Sequence, residues 1–450
     1  MSAAVQSDEV QAGALQADAT QPARPVTHRR ARQYARLWRW HFFAALLVVP
    51  FILWQGVTGV AYLWHEDIAD ALWPQLRLVE PRGAMVPLDR QLAAARDANA
   101  NADAMPVRVL RAADRSRSTQ FVFAHGNGLT SPSFVDPYTG RWLGSVPAHT
   151  WLPGLTRSLH GGWPLGRAGS WLLELGACWC IVMVLSGLYL WWPRAARGMA
   201  GVLYPRLRHS ARVFWRDLHA VVGIAFSAVL LAFLVTALPW TDFWGGHVLK
   251  PLQRWSGQLA PDTRGGGAHH PVGGHAGHPA RAPALQRIVD VAAAEGLRGD
   301  LQIDIARDGG PVTVAMKSGR AANERVLRVT PDGTRVIARI GWRDYPTIPR
   351  LVATGVDLHE GTFLGRANRI FNTVVVGALF WLVVTGVIGW YRRRPGEGGL
   401  SAPPRQAGPL PRWLRGVAIA LCVAMPLLGI SVLLLWLVDG VLGVAGRWRE

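Results

Sequence analysis

Two histidines, His160 and His359, occupy the same place in a ten-residue phrase that occurs twice in the chain. The copies, LHGGWPLGRA at 159–168 and LHEGTFLGRA at 358–367, are identical at seven positions, and each leads into a long apolar run. Each phrase also carries an arginine, Arg167 or Arg366, seven residues after the histidine. A neutral imidazole is a common metal ligand, and the guanidinium group pairs with carboxylates and phosphates. The side chains able to do chemistry therefore recur in matched pairs.

A second pair of apolar segments repeats at an offset of 178 residues. His41 matches His219, and Thr58 matches Thr236, with each threonine 17 residues after its histidine. Behind the first phrase, the dipeptide at 186–187 (SG) also matches the one at 385–386 (TG), at the offset of 199 that separates the two phrases. The chain is therefore a duplicated unit that retains a histidine at both paired places, and such internal repeats fix the architecture.

The composition predicts a membrane protein. Half of the 450 residues are hydrophobic, and five apolar runs are long enough to cross a bilayer, which takes about 20 residues. These predicted spans are 36–64, 169–192, 214–240, 368–391 and 412–438. The net charge of +19 comes almost wholly from arginines that crowd the ends of these runs. This pattern is typical of membrane topology and speaks against a nucleic-acid partner.

The arginine-rich short segments predict the orientation. The N-terminal segment 1–35, read as a disordered tail, and the loops 193–213 and 392–411 belong on the cytoplasmic side. The N-terminus is then cytoplasmic, and the tail 439–450 lies outside. We therefore expect a multi-pass membrane protein with a cytoplasmic N-terminus.

The two long segments between spans, 65–168 and 241–367, would then be periplasmic, and each is predicted to be a small α+β module. Each contains a helix, several strands and a turn of DPxTG type. The predicted helices are 88–100 and 284–295, the strands are 107–110, 120–124, 301–305, 312–316 and 325–329, and the turns are 136–140 and 331–334. A Gly/Pro/His-rich linker occupies 262–283. The expected fold is a mainly α membrane protein: five transmembrane helices, from a duplicated two-helix unit plus one, and two small α+β modules.

Histidines at matched depth on facing helices suit a bis-imidazole haem, because iron accepts one neutral ring nitrogen on each face. His41 and His219 would form the cytoplasmic pair, and His160 and His359 the outer pair. The alternative is four interfacial histidines bonded to water or lipid. Two symmetric pairs favour ligation of two haems, since ionisable residues at membrane depth are usually functional.

Other side chains leave more than one interpretation open. Arg167 and Arg366 either pair with haem propionates or extend to the membrane surface as helix-end arginines. His65 and His247 are fallback outer ligands. The histidines at 269, 270, 275 and 278 could bind a metal ion within the linker. The three cysteines lie in apolar runs and predict neither a disulfide nor a zinc site.

This pattern resembles the PepSY-associated transmembrane proteins, often called iron-regulated membrane proteins, some of which are ferrisiderophore reductases. The resemblance rests on the RWH entry to the first span at 39–41, the paired LHxG phrases and the two outside modules with their DPxTG turn, and it covers roughly residues 35–440. It implies a protein of the bacterial inner membrane with PepSY domains in the periplasm. It also implies b-type haems held by His41, His219, His160 and His359, and electron delivery to a ferric chelate.

The functions that remain open belong to three classes. The first is a haem-containing reductase that takes electrons from a quinol or a flavoprotein and reduces a ferric siderophore outside the membrane. The second is a regulatory protein whose PepSY modules inhibit a protease or sense a ligand. The third is a transporter, which the repeats suggest but which lacks acids at the midplane, since Glu174 is the only acid well inside a span.

Overall fold

The computed structural model describes residues 25–99, 104–125, 130–162, 165–192, 198–261, 283–306, 308–393, 402–403 and 410–447. Within these ranges the helices are α1 (Pro25–Leu63), α2 (His65–Leu72), α3 (Pro74–Arg77), α4 (Leu88–Ala98), α5 (Leu152–His160), α6 (Gly166–Trp191), α7 (Ala211–Ala237), α8 (Asp242–Trp244), α9 (Lys250–Trp255), α10 (Leu285–Ala294), α11 (Thr347–His359), α12 (Arg366–Tyr391), α13 (Arg412–Ala424) and α14 (Pro426–Arg447). The strands are β1 (Ala104–Arg111), β2 (Thr119–His125), β3 (Thr130–Val135), β4 (Trp142–Ser145), β5 (Asp300–Asp304), β6 (Val312–Lys317), β7 (Arg325–Val329) and β8 (Val336–Ile340).

Four long apolar helices form a closed ring. Helix α1 packs against α6 and α12, and α7 packs against the same two helices on the far side. The stretches long and apolar enough to cross a bilayer are Ala31–Leu63, Gly166–Trp191, Ala211–Trp240 and Arg366–Tyr391. A helix satisfies all its backbone hydrogen bonds internally, which a segment in lipid requires. Four of the five predicted spans are therefore confirmed as continuous helices long and apolar enough to cross a membrane.

The fifth predicted span, 412–438, is not one continuous helix. It divides into α13 and α14 at Met425, whose φ of −129° and ψ of 83° leave the helical region. The cause is Pro426, which has no N–H to donate and disfavours the helical conformation of the residue before it. Helix α14 packs on the outside of α6, and its apolar part is the shorter stretch Pro426–Val441.

The two α+β modules share one antiparallel sheet. Its eight strands run in the order β4-β3-β2-β1-β5-β6-β7-β8, so the first module supplies one half and the second supplies the other. The halves meet where β1 pairs with β5, with Val109 opposite Ile303 and Arg108 opposite Asp304. The side chains of Val109 on β1 and Ile303 on β5 are fully buried, and they belong to a single hydrophobic core that includes residues of both modules. The sequence predicted two modules and did not predict their fusion into one sheet.

Helices α4 and α10 lie side by side on this sheet and cap each other. The Asp89 carboxylate of α4 accepts hydrogen bonds from the backbone N–H groups of Leu285 (2.7 Å) and Gln286 (3.2 Å) at the start of α10. In return, the Gln286 side-chain oxygen accepts one from the N–H of Leu88 (2.9 Å). These first-turn N–H groups have no partner within their own helix, so the caps join the two modules.

The predicted element boundaries are close to those observed. Strand β7 has the predicted bounds, and the remaining predicted strands and both module helices shift by one to three residues at their ends. The turn at 136–140 is confirmed: Asp136 accepts from the N–H of Tyr138 (2.8 Å) and Gly140 adopts a φ of 72°. Helix α1 begins at Pro25, inside the segment predicted to be a disordered tail. The rest of that prediction, residues 1–24, and nearly all of the linker prediction lie outside the described residues.

Candidate functional site

His41 on α1 and His219 on α7 face each other across the helix ring. Their ring centroids are 6.4 Å apart, with the ring planes at 83°. They lie on non-adjacent helices, and the helices between them, α6 and α12, supply the groups that hold the rings. The internal symmetry seen in the sequence therefore brings two distant histidines together at one end of the ring.

The partners of these two rings fix which nitrogen carries the proton. Nδ1 of His41 lies 2.9 Å from the carbonyl oxygen of Met183 and 3.2 Å from Ser186 Oγ. Because a carbonyl only accepts, Nδ1 must donate, and Nε2 keeps its lone pair. Nδ1 of His219 lies 3.0 Å from Thr385 Oγ1, whose own hydrogen is donated to the Trp381 carbonyl at 2.8 Å. That hydroxyl is then an acceptor as well, and both rings offer Nε2 as the free ligand atom.

His160 and His359 form a second pair at the other end of the ring. They are the last residues of α5 and α11, and their ring centroids are again 6.4 Å apart, with the planes at 56°. Nδ1 of His160 lies 3.1 Å from Thr58 Oγ1 on α1, and that hydroxyl donates to the Trp54 carbonyl at 2.8 Å. As in the first pair, Nδ1 of His160 therefore carries the proton, and Nε2 keeps its lone pair.

The second member of this outer pair is held differently. Nδ1 of His359 is buried and has no hydrogen bond of normal length and angle to a described residue, although the Phe233 backbone acts on the ring as a hydrogen-bond acceptor. The ring also packs on the Phe233 side chain with a centroid distance of 4.8 Å. Thr236, the repeat mate of Thr58, donates to the Ala232 carbonyl of its own helix at 2.8 Å, as Thr58 donates to Trp54. His359 is therefore held chiefly by its contacts with Phe233.

Asparagine side chains fix the end of the helix that carries His359. The Asn372 amide donates to the carbonyl oxygens of Leu358 (2.9 Å) and His359 (3.0 Å), and Asn368 donates to Leu358 at 3.1 Å. These are the last carbonyls of α11, where the helix has no further N–H groups to offer, and Leu358 otherwise accepts only a long bond from the Gly361 N–H at 3.4 Å among the described residues. Asn368 and Asn372 of α12 thus supply hydrogen-bond donors for the last carbonyl groups of α11.

Burial keeps the outer pair uncharged at neutral pH. Burial first, and the neighbouring His359 second, lower the pKa of His160 to about 4. Burial also lowers the pKa of His359, and the Phe233 backbone partly offsets this. A neutral ring with a fixed proton on the far nitrogen is the form that binds a metal.

Glycines stand against three of the four rings. A Cβ on Gly187 would lie 3.1 Å from Cε1 of His41, one on Gly59 would lie 3.2 Å from Cε1 of His160, and one on Gly386 would lie 3.5 Å from Cε1 of His219. Because glycine has no side chain, these three imidazoles can pack directly against the backbone of a neighbouring helix.

The two pairs are separated along the helix axis. Thr58, which bonds His160, follows His41 by 17 residues on the same helix, and at 1.5 Å per residue this corresponds to about 26 Å. The same spacing separates His219 from Thr236. The pairs therefore lie near opposite faces of a bilayer whose hydrocarbon core is about 30 Å thick.

The predicted arginines lie at the helix starts beside the outer pair. Arg167 is exposed, and its guanidinium lies 3.3 Å from Asp242. Arg366 is exposed at the first residue of α12. Whether either binds a propionate stays a prediction.

The fallback ligands have other partners. Nδ1 of His65 contacts the Tyr62 carbonyl oxygen, and its Nε2 lies 3.2 Å from Glu66. His247 is exposed, with Nδ1 3.1 Å from the Phe243 carbonyl oxygen and its ring stacked on Phe243. The linker histidines at 269–278 lie outside the described residues. Among the residues that are described, no three His, Cys, Asp or Glu side chains converge as they would on a bare metal ion.

Sequence reasoning missed the role of the residues behind the histidines. It identified Thr58, Ser186 and Thr385 as back-bonding helix residues, which they are, but not as acceptors for the imidazole N–H groups. The signal was present, since 186–187 and 385–386 match at the same offset as the histidine phrases. The glycine of each of these dipeptides packs against a histidine ring.

Comparison with known proteins gives one family match. The model of the PepSY-associated TM region matches residues 38–393, which is well over half of the chain. This range begins in the first span and ends just after the fourth, so it includes all four paired histidines. A search of curated proteins found no significant match.

Proposed function

The chain belongs to the PepSY-associated transmembrane family, and on that premise we propose that it is a haem-containing inner-membrane reductase. It would pass electrons across the membrane to a periplasmic ferric chelate and release Fe(II). The observation that supports this most is the pair of histidines at each end of the helix ring, with 6.4 Å between ring centroids in both pairs.

This separation fits two imidazoles on opposite faces of one iron. A metal–nitrogen bond of about 2 Å and about 1.2 Å from nitrogen to ring centre place two opposed ring centres between about 6 and 6.5 Å apart. Direct ring stacking would bring the centroids closer, as in the Phe233–His359 contact at 4.8 Å. Each pair of ring nitrogens could therefore hold the iron of a b-type haem, and we expect two haems per chain.

The chain's own residues orient the ligands and exclude water. Ser186, Thr385 and Thr58 accept the Nδ1–H of their histidines, which fixes the tautomer and raises the basicity of the ligating nitrogen. Haem bound in these sites supplies a one-electron Fe(III)/Fe(II) couple. Arg167 and Arg366 stay the proposed partners of the outer propionates.

Electrons would enter at the His41–His219 pair and leave at the His160–His359 pair. The donor is a quinol or a soluble flavoprotein, and either one delivers two electrons. Each electron reduces one Fe(III) of a ferric siderophore to Fe(II), so one donor molecule serves two ferric ions. Fe(II) then dissociates because oxygen-rich chelators hold it less tightly than Fe(III).

The orientation that this pathway requires follows from the arginine-rich short segments. With the N-terminus in the cytoplasm, the His41–His219 end of the ring lies inside. The shared sheet and the His160–His359 end then lie in the periplasm. The bilayer is the first partner, and the ferric chelate approaches from the side of the sheet.

Visible spectroscopy of the purified protein tests the proposal. We expect a red protein with a sharp Soret band and split α and β bands on reduction, because two imidazoles give low-spin six-coordinate iron. His41→Ala or His219→Ala should remove only the inner haem, and His160→Ala or His359→Ala only the outer one, since the sites share no ligand. His209→Ala changes an exposed histidine that is not a candidate ligand, so it serves as the matched control and should retain two haems.

The same preparation separates this function from its alternative. A colourless protein from haem-replete cells would favour a regulatory PepSY protein that inhibits a protease or senses a periplasmic ligand. If all four alanine variants still bind two haems and transfer electrons normally, the ligand assignment is wrong, and His65 and His247 are the next positions to change.

A further inference from the structure

We propose that Arg393, assisted by Arg212, binds the propionate carboxylates of the haem held by His41 and His219. This rests on the proposed function and extends it to the inner site, whose propionates have no partner among the residues named so far. The observation behind it is a guanidinium group packed inside the helix ring, with a buried nitrogen that has no acceptor among the described residues.

Arg393 follows the end of α12 by two residues and places its side chain on α1. Its guanidinium carbon lies 4.4 Å from the ring centre of Trp38 and 5.9 Å from that of Phe42. Stacking engages the flat face of the guanidinium and leaves the in-plane N–H groups for other partners. Nη2 is buried and has no hydrogen-bond partner within the described part of the chain. A buried charged donor is costly unless it meets an acceptor, so this nitrogen indicates a missing anion.

A second arginine strengthens that indication. Burial first, and the positive charge of Arg212 second, lower the pKa of Arg393. Asp217, on the same helix as Arg212, is already occupied, because it accepts from Arg206 at 2.6 Å and from Arg216 at 2.8 Å. Arg212 and Arg393 therefore repel each other, and no carboxylate of the described residues compensates them.

Both arginines lie just beyond the inner pair, on its cytoplasmic side in the proposed orientation. Trp38, on which Arg393 stacks, precedes His41 by three residues, or about 4.5 Å along the helix. Arg212 precedes His219 by seven residues, or about 10.5 Å. The two propionates of a haem are carboxylates, and a guanidinium group matches a carboxylate with paired N–H donors. The uncompensated positive charge is therefore close to the place where the inner haem would bring its own negative charge.

A phospholipid phosphate offers the same anionic oxygens, and basic pockets at the cytoplasmic ends of helices bind such head groups. The position of Arg393 favours the propionate. Its side chain stacks on α1 and senses the charge of Arg212 on α7, so it lies between the two helices that carry the histidines. Its unpartnered nitrogen has no contact with solvent, which favours a ligand inside the helix ring over one in the surrounding leaflet.

Optical redox titration of the purified, haem-loaded full-length protein in lipid-free neutral detergent tests this, together with the rate of haem transfer to a haem-scavenging protein. The single wave left in His160→Ala assigns the inner site. Arg393→Ala should lower the inner potential, because a nearby cation favours the reduced iron. It should also speed loss of the inner haem by roughly tenfold to a hundredfold, the usual effect of losing a hydrogen bond to a charged group.

The outer site reports on folding in every variant, since its haem and its wave should not change. Arg392→Ala removes the neighbouring, exposed arginine and is the matched control, which should move neither wave. Arg393→Lys keeps the charge and should retain the wild-type inner potential. Arg393→Gln keeps a donor without the charge and should lower that potential, and it decides the matter if Arg393→Ala fails to fold.

Three results would overturn the inference while leaving the proposed function intact. One is an unchanged inner wave in both Arg393→Ala and Arg393→Gln. Another is an effect that appears only after anionic phospholipid is added to the detergent, which would assign the phosphate as the ligand. The third is the same effect in Glu397→Gln, which would make the acid four residues after Arg393 in the sequence its partner. A protein that binds no haem in any form would instead remove the proposed function, and this inference with it.

Discussion

Gly187 and Gly386 hold equivalent positions in the two halves, but they leave different room for a side chain. A Cβ at 187 would lie 3.1 Å from the His41 ring, closer than a relaxed contact, whereas one at 386 would lie 3.5 Å from the His219 ring, an ordinary contact. The same substitution should therefore have opposite consequences at the two sites.

We expect Gly187→Ala to displace the His41 ring and reduce inner-haem content, with a destabilisation of about 1–3 kcal/mol from overpacking. Gly386→Ala should leave haem content unchanged and stabilise its helix by up to about 1 kcal/mol, because alanine is the better helix former. Haem-to-protein ratio and thermal unfolding in detergent check both. Equal losses in the two variants would show that neither glycine is specific to its ring.

Among the structural elements, α4 and α10 depend on each other for their N-terminal hydrogen bonds. Asp89 bridges two N–H groups of α10, at 2.7 and 3.2 Å, and its negative charge also suits a helix N-terminus. The contact is therefore a joint between the modules as well as a cap.

Asp89→Ala should lower the free energy of unfolding by about 1 kcal/mol, the usual value of a lost cap, and Asp89→Asn should lower it less because an acceptor remains. Asp97→Ala, an exposed acid at the end of the same helix, is the control and should have little effect. Thermal unfolding of the three variants checks this. A loss in Asp97→Ala as large as in Asp89→Ala would mean that charge, and not the cap, is responsible.

For the whole molecule, the orientation in the membrane is the main open prediction. Arg141 and Arg335 are exposed beside the two module turns, and Leu207 is exposed in the arginine-rich segment between α6 and α7. If the arginine pattern determines topology, Arg141 and Arg335 lie on the outer side of the bilayer and Leu207 lies on the cytoplasmic side.

Cysteine introduced at Arg141 or Arg335 should react with a membrane-impermeant maleimide in intact spheroplasts. Cysteine at Leu207 should react only after permeabilisation, and the wild type, whose Cys178 and Cys180 are buried, gives the background. Labelling of Leu207→Cys alone in intact spheroplasts would invert the topology.

The sequence by itself determined the parts that depend on local chemistry and on repetition. Apolar length predicted five spans, because a helix in lipid needs about 20 apolar residues whatever surrounds it, and four of the five are helices long and apolar enough to cross a bilayer. The duplicated phrases predicted that His160 pairs with His359, and the second repeat that His41 pairs with His219; the structure brings both pairs of rings together. Repetition predicts symmetry, and symmetry places equivalent residues at equivalent depths.

Only the tertiary structure decided which groups meet across the helices and the modules. The β1–β5 pairing joins segments nearly 200 residues apart, and no local pattern specifies which strand edges will pair. The hydrogen bonds from His41, His219 and His160 likewise depend on how α1, α5, α6, α7 and α12 pack. Thr58 and Thr236 are the clearest case. Both threonine hydroxyls donate within their own helix, yet among the described residues only Thr58 lies within hydrogen-bond distance of a histidine ring, because the packing of one helix against another decides which groups a side chain reaches.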